Sequence, residues 1–217
     1  MSCERCPRLR KYAREVTNNR PQRFANQDYW ARPVPGFGDP NAELLVIGLA
    51  PARTGALRTG RIFTGDSSSR FLVRCLHKAG FANQPVSDSI DDGLIYSNCY
   101  VTAAVKCAPP GDRPSRSEFD RCGPYLDDEI KLMKRARVVL ALGSLALRAV
   151  VESERRRGNP LKRVKFAHRA QYDISGGRLL VASYHPSPRN TNTGKLTQAM
   201  LTGVLLSIRD SLESRHQ

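Results

Sequence analysis

The stretch "ELLVIGLAPARTGALRTGRIFTGD", residues 43–66, begins as a strand and ends as a loop. Its apolar run is continuous rather than alternating, the pattern of a strand buried on both faces, as in parallel sheets. From Gly48 the chain turns rich in glycine and arginine and closes on Phe63 and the carboxylate of Asp66. A glycine-rich segment directly after a buried strand lets backbone come close to a ligand. The remaining sequence repeats the same grammar. "SSSRFLVRCLHKAG" predicts a helix with a serine cap and a terminal glycine at Gly80. The later half of "GLIYSNCYVTAAV", "VVLALG" and "GRLLVASYHP" predict further strands. Between them, "SRSEFDRCGPYLDDEIKLMKRA" predicts a helix that restarts near Pro124, and "SLALRAVVES" a second one. The terminal "GKLTQAMLTGVLLSIRDSLES" puts Leu196, Met200, Val204 and Ile208 on one helical face. Strands alternating with helices predict an α/β fold, a three-layer αβα sandwich around a central, mostly parallel sheet. The expected organisation is one domain over 1–217, with "ERRRGNPLKRVK" as a loop insertion.

Composition narrows the function. The chain has 217 residues, 40% of them apolar, enough to bury a core without staples. No stretch approaches the roughly 18 consecutive apolar residues of a membrane span, and the start, "MSCERCPRLRKYARE", lacks a signal-peptide core. A cytoplasmic, monomeric protein without membrane contact is expected. The net charge of +15 and a pI near 10.1 predict attraction to polyanions, nucleic acid above all. Basic residues recur in "CPRLRKYAR", "ARTGALRTGR", "ESERRRGNPLKRVKFAHR" and "HPSPRN". The plainer reading is an arginine-rich solvated surface.

In parallel sheets ligands bind beyond the carboxyl ends of the strands. Three loops stand there: the opening one, "KCAPPGDRPS" and "HPSPRNTNTGK". None has the phosphate-loop pattern G-x-x-x-x-G-K-[ST] or the dinucleotide pattern G-x-G-x-x-G. Of the six cysteines, Cys75 and Cys99 lie in apolar runs and read as buried thiols. Cys3 and Cys6 form C-x-x-C, and Cys107 and Cys122 a second, wider pair. Two thiolate pairs that meet in space bind either zinc or an iron–sulfur cluster.

"GLAPA" with "GRIFTGD", "VKCAPPGDRP" with its following cysteine, and "HPSPRN" resemble the family 5 uracil-DNA glycosylases, and the likeness runs through essentially the whole chain. The resemblance implies a uracil-DNA glycosylase-like fold and hydrolysis of the N-glycosidic bond of uracil in DNA, leaving an abasic site. It implies hypoxanthine and xanthine as further substrates, and a structural [4Fe–4S] cluster on Cys3, Cys6, Cys107 and Cys122. A partner of this kind is DNA containing deaminated bases.

The roles implied by the resemblance fall on particular residues. Gly48, Leu49 and Ala50 bring backbone to the extruded base, Phe63 stacks on it, and Asp66 positions water and stabilises a cationic sugar. His185 donates to the departing base, Asn190 holds its loop, and Arg189 enters the gap in the duplex or contacts a phosphate. Arg53, Arg58 and Arg61 contact phosphates around the lesion. Each has a plainer alternative: a core phenylalanine, a helix cap at Asp66, a structural histidine, solvated arginines. The first motif has no polar residue, only Ala50, Pro51 and Ala52, which moves the catalytic carboxylate to Asp66. Two departures stand out. Asp112 replaces an asparagine implicated in the active site and brings a second carboxylate towards Asp66; it is carried over as a substrate contact. Ala103 stands where a related family reads the uracil edge with asparagine, which predicts relaxed specificity. A metal-containing nucleic-acid-binding module and a nucleoside hydrolase are the rival functions.

Overall fold

Residues 2–214 are described by a computed structural model of the chain. The elements in order are α1 (Pro7–Asn18), β1 (Phe37–Gly38), β2 (Leu44–Gly48), α2 (Ala56–Thr59), α3 (Ser67–Lys78), β3 (Cys99–Ala103), α4 (Arg116–Leu132), β4 (Val138–Leu142), α5 (Ser144–Arg156), β5 (Gln171–Ile174), β6 (Arg178–Ser183), α6 (Pro188–Thr191) and α7 (Gln198–Glu213). Six strands form one sheet in the order β1-β3-β2-β4-β6-β5. The central strands β3, β2, β4 and β6 run parallel, and the two edge strands are antiparallel to their neighbours.

The continuous apolar runs follow from burial on both faces. Leu44 and Val46 of β2 and Leu140 of β4 pack with Leu72 and Leu76 of α3 and with Val204, Leu205 and Ile208 of α7. Their sequence neighbours Leu45, Ile47, Val139 and Ala141 point the other way, onto Leu126 and Ile130 of α4 and Leu147 and Val150 of α5. The period of 2 along each strand thus divides one apolar run between two helix layers, and the result is the αβα sandwich. At about 25 cal/mol per Å² of apolar area, these two interfaces dominate stability.

Several local expectations change. The residue capping α3 is Asp66, whose side chain accepts from the Ser69 backbone while Ser69 returns a bond to the Asp66 backbone. Helix α4 runs unbroken through Pro124. A proline removes one backbone donor, and the burial of Leu126 and Ile130 beyond it holds the next turns in place. On α7, Val204 and Ile208 are buried as expected, with Leu201, Leu205 and Leu212 beside them, whereas Met200 is only half-buried. Leu196 is buried just before the helix begins. The "ERRRGNPLKRVK" stretch spans the end of α5 and the connection to β5. No helix among the described residues is long and apolar enough to cross a membrane.

Candidate active site

Parallel strands bring their following loops to one end of the sheet. Beyond β2 stands the 49–66 loop, beyond β3 the 104–115 loop, and beyond β6 the 184–197 loop. The β2–β3 pairing continues past the strands: the Ala104 and Val105 amides donate to the Gly48 and Leu49 carbonyls at 2.9 and 3.0 Å. Leu49 and Ala50 are half-buried there. Ala103, the last residue of β3, is buried opposite Gly48.

Phe63 doubles back on this strand end. It is buried, and its backbone has φ +48°, a region that costs a non-glycine residue energy. A Cβ at Gly48 would lie 2.7 Å from the Phe63 ring, so glycine is what lets the ring lie on the strand. The ring faces that of His185, with centroids 6.2 Å apart and planes inclined by 33°. Phe63 is therefore a core side chain whose ring also lies beside His185.

His185 follows β6, and its carbonyl accepts from Asn190 Nδ2 at 2.8 Å. Asn190 thus fixes the loop that carries the ring. Part of His185 is open to the surface, but crowding by protein pushes its pKa down to about 4. The imidazole is neutral at pH 7, with one ring nitrogen a donor and the other an acceptor.

Asp66 Oδ1 accepts from the Ser69 amide at 2.8 Å, so the carboxylate caps α3 and is held in one orientation. Burial raises its pKa; the amides of Ser69 and Ser68 and the charge of Arg70 oppose the rise, and Asp112 adds to it. A Cβ on Gly55 would meet Asp66 Oδ2 at 2.0 Å. This close approach of Gly55 to the carboxylate was marked by no sequence motif, because the partner lies across the loop. Asp112 is exposed with φ +55°, directly after Gly111.

The arginines divide. Arg53 and Arg189 are exposed. Arg58 is half-buried, donating to the Thr54 and Gly65 carbonyls and to Gln27 Oε1, with its guanidinium over the Phe24 ring. The expectation that Arg61 meets phosphate is corrected: it is 4% exposed and bound within the protein. Its guanidinium donates to both oxygens of Asp92 at 2.7 Å, to Thr64 Oγ1 at 2.8 Å and to Ser87 Oγ at 3.1 Å. Asp92 and Ser87 escaped the sequence reading, since nothing local ties residues so far along the chain to the loop.

Cys3, Cys6, Cys107 and Cys122 line one cavity of about 520 Å³, next to Leu9, Val105 and Tyr125. The Lys106 amide donates to Cys122 Sγ at 3.2 Å. Burial raises the Cys6 and Cys122 thiols and pushes Cys107 up to about 12. Among the described residues no three of His, Cys, Asp and Glu are grouped as around a single metal ion. Ala50 of the 49–66 loop packs against the apolar cluster that contains Cys6, Leu9, Val105, Cys107 and Cys122. Cys75 and Cys99 are fully buried elsewhere in the core.

A family model described as the uracil DNA glycosylase superfamily matches residues 35–209. The type-5 uracil-DNA glycosylase of Thermus thermophilus is 45% identical over 210 residues, which is 96% of this chain and 93% of the relative. The type-5 enzyme of Pyrobaculum aerophilum is 45% identical over 205 residues, 94% of this chain and 87% of the relative. The type-4 uracil-DNA glycosylase of the same organism is 29% identical over 188 residues, 86% and 78% of the two chains.

Proposed function

This chain belongs to the uracil-DNA glycosylase superfamily, on its type-5 branch, and from that membership we propose that it is a monofunctional DNA glycosylase that hydrolyses the N-glycosidic bond of uracil in DNA and leaves an abasic site for base excision repair. The observation that carries the reading is the neutral His185 ring, 6.2 Å from Phe63, at the carboxyl end of the parallel sheet. An enzyme that works on a base in duplex DNA must take it out of the stack and hold it by its face and edge. Phe63 offers the face. A neutral histidine donates to the pyrimidine O2, where negative charge grows as the base departs, without protonating the ground state. A single donor of this kind is worth about 10²–10³ in rate.

Asp66 supplies the other half of the charge separation. The ionised carboxylate stabilises the oxocarbenium-like sugar and orients a water for attack at C1′. Its raised pKa makes it a better proton acceptor as that water adds. No lysine is required as a nucleophile, so the strand stays intact. The small side chain of Ala103 and the absence of an asparagine there support acceptance of hypoxanthine and xanthine, because no edge-reading group selects one base.

The same reading includes a structural [4Fe–4S] cluster held by Cys3, Cys6, Cys107 and Cys122. Four thiols around one cavity of about 520 Å³ are the donor set of such a cluster. Cys3 and Cys6 of the N-terminal segment, Cys107 of the β3 loop and Cys122 of α4 would hold the cluster, which would supply a structural crosslink between them.

The test is alkali-induced scission of matched duplexes carrying one uracil, hypoxanthine or undamaged base after incubation with enzyme. Scission at the modified position that requires alkali is the expected result. Asp66→Asn is expected to lower the rate by about 10²–10⁴ while the fold survives, since asparagine caps a helix as well as aspartate. Tight binding without abasic sites would overturn the enzyme reading in favour of a binding module.

A further inference from the structure

The basic run after α5 remains outside this account. Arg155, Arg156 and Arg157 are neutralised within the protein by Glu152, Asp127 and Glu154. The next four cations, Lys162, Arg163, Lys165 and Arg169, are exposed, and no ion pair among the described residues involves them. No acidic residue lies between Glu154 and Asp173. Their segment is not a loose tail. The Arg169 amide donates to the Ala182 carbonyl at 2.7 Å, and the Ala182 amide to the Ala170 carbonyl at 2.8 Å. His168 stacks on Tyr184 with ring centroids 5.2 Å apart and planes within 8°. Tyr184 immediately precedes His185, and Lys195 reaches over the same tyrosine ring, 4.9 Å from its centroid.

These contacts place the end of the basic run at the carboxyl end of β6, beside the site. A plain alternative is protection of the edge strand β5, which charges can provide. That role puts charge along the strand, yet β5 reads "QYDI" and carries no cation. We propose that Lys162, Arg163, Lys165 and Arg169, continued by Lys195, form a phosphate-binding ridge for the DNA backbone that flanks the extruded nucleotide. The proposal rests on the glycosylase reading for its partner, duplex DNA. The ridge supplies binding strength and orientation without reading sequence.

The test is K162Q/R163N/K165Q/R169N, with asparagine at the two positions of positive φ, +55° and +68°, which it tolerates. Affinity for an undamaged duplex is measured from 50 to 200 mM salt. Each phosphate contact contributes about 0.9 to the slope of log affinity against log salt, so the variant's slope is expected to be shallower by about 2 to 4. Single-turnover uracil release at saturating enzyme is expected to be unchanged. Should the quadruple variant melt early, K162Q/K165Q alone is expected to flatten the slope by about 1 to 2. An unchanged slope in a folded variant overturns the ridge, even with uracil release intact. A flattened slope without uracil release by either protein keeps the ridge and rejects the glycosylase.

Discussion

At the scale of single residues, the proposed site brings together two carboxylates of different status. Asp66 is half-buried, caps α3 and is raised in pKa, whereas Asp112 is exposed on a left-handed turn. Asp112 contributes to the rise at Asp66 because a nearby negative charge disfavours a second one. The sign follows directly. Asp112→Asn removes that charge, lowers the Asp66 pKa, and leaves Asp66 ionised at more acid pH. The acid limb of kcat/KM for uracil release is therefore expected to move down, by less than about one pH unit since burial is the larger cause. Asparagine suits φ +55°, so the fold should not respond. An acid limb that stays in place would show that Asp66 is not the group whose ionisation sets it. The raised pKa also means that native Asp66 holds its proton more tightly than the unfolded chain does. Its stabilising contribution is complete only below the unfolded pKa and is lost as pH rises through the folded one. Ionising Asp66 in the folded protein thus carries some cost to stability, a cost that the helix cap partly offsets.

At the scale of elements, the segment from Gly60 to Asp66 is held by partners from the 87–92 turn. Arg61 joins Asp92, Ser87 and Thr64, the Ser87 hydroxyl donates to the Phe63 carbonyl at 3.0 Å, and the Gly65 amide donates to the Ser87 carbonyl at 2.8 Å. This clamp sustains the positive φ of Phe63 and so holds the ring against Gly48 and beside His185. Arg61→Met leaves Asp92 charged and without its buried partner, which is expected to cost about 3–5 kcal/mol in urea unfolding. The salt dependence of DNA binding should be unaffected, because the guanidinium does not face solvent; a shallower salt slope would return Arg61 to the phosphate contacts. This residue also marks where the sequence stops being legible. The buried strands β2, β4 and β6 announce themselves by continuous apolar runs, and those runs place the loops that carry Phe63, Asp66 and His185 at one end of the sheet. Arg61 looks like the arginines around it, and its burial depends on Asp92, which no local pattern connects to it. The edge strands were equally silent: β1 has two residues, and β5 buries only Ile174 fully. Half-covered strands of that length leave no run of apolar residues to read. Pro124 misled in the opposite direction, since a local breaking signal was overridden by packing on the sheet.

At the scale of the whole molecule, the cysteine cavity ties the two ends of the architecture together. Cys6 precedes α1, Cys107 follows β3 and Cys122 lies within α4, so three separate elements meet around it. Only Leu9, Ala13 and Val16 of α1 are buried, a thin apolar face for a helix with no side-chain cap. Short helices of this kind are marginal without tertiary contacts. The proposed cluster on the four thiolates would add a crosslink across more than one hundred residues, and α1 is the element that would need it most. With the proposed cluster in place, Cys6→Ala is expected to lower the iron and sulfide bound per chain. Amide hydrogen exchange is the informative measurement. Protection in α1 should fall towards that of an open segment, while β2, β4 and β6 keep theirs, since neither helix layer of the core contains Cys6. Loss of protection across the sheet would make the cavity part of the folding core instead. Full protection of α1 in a protein without iron would remove the crosslink from the account of how this fold is held.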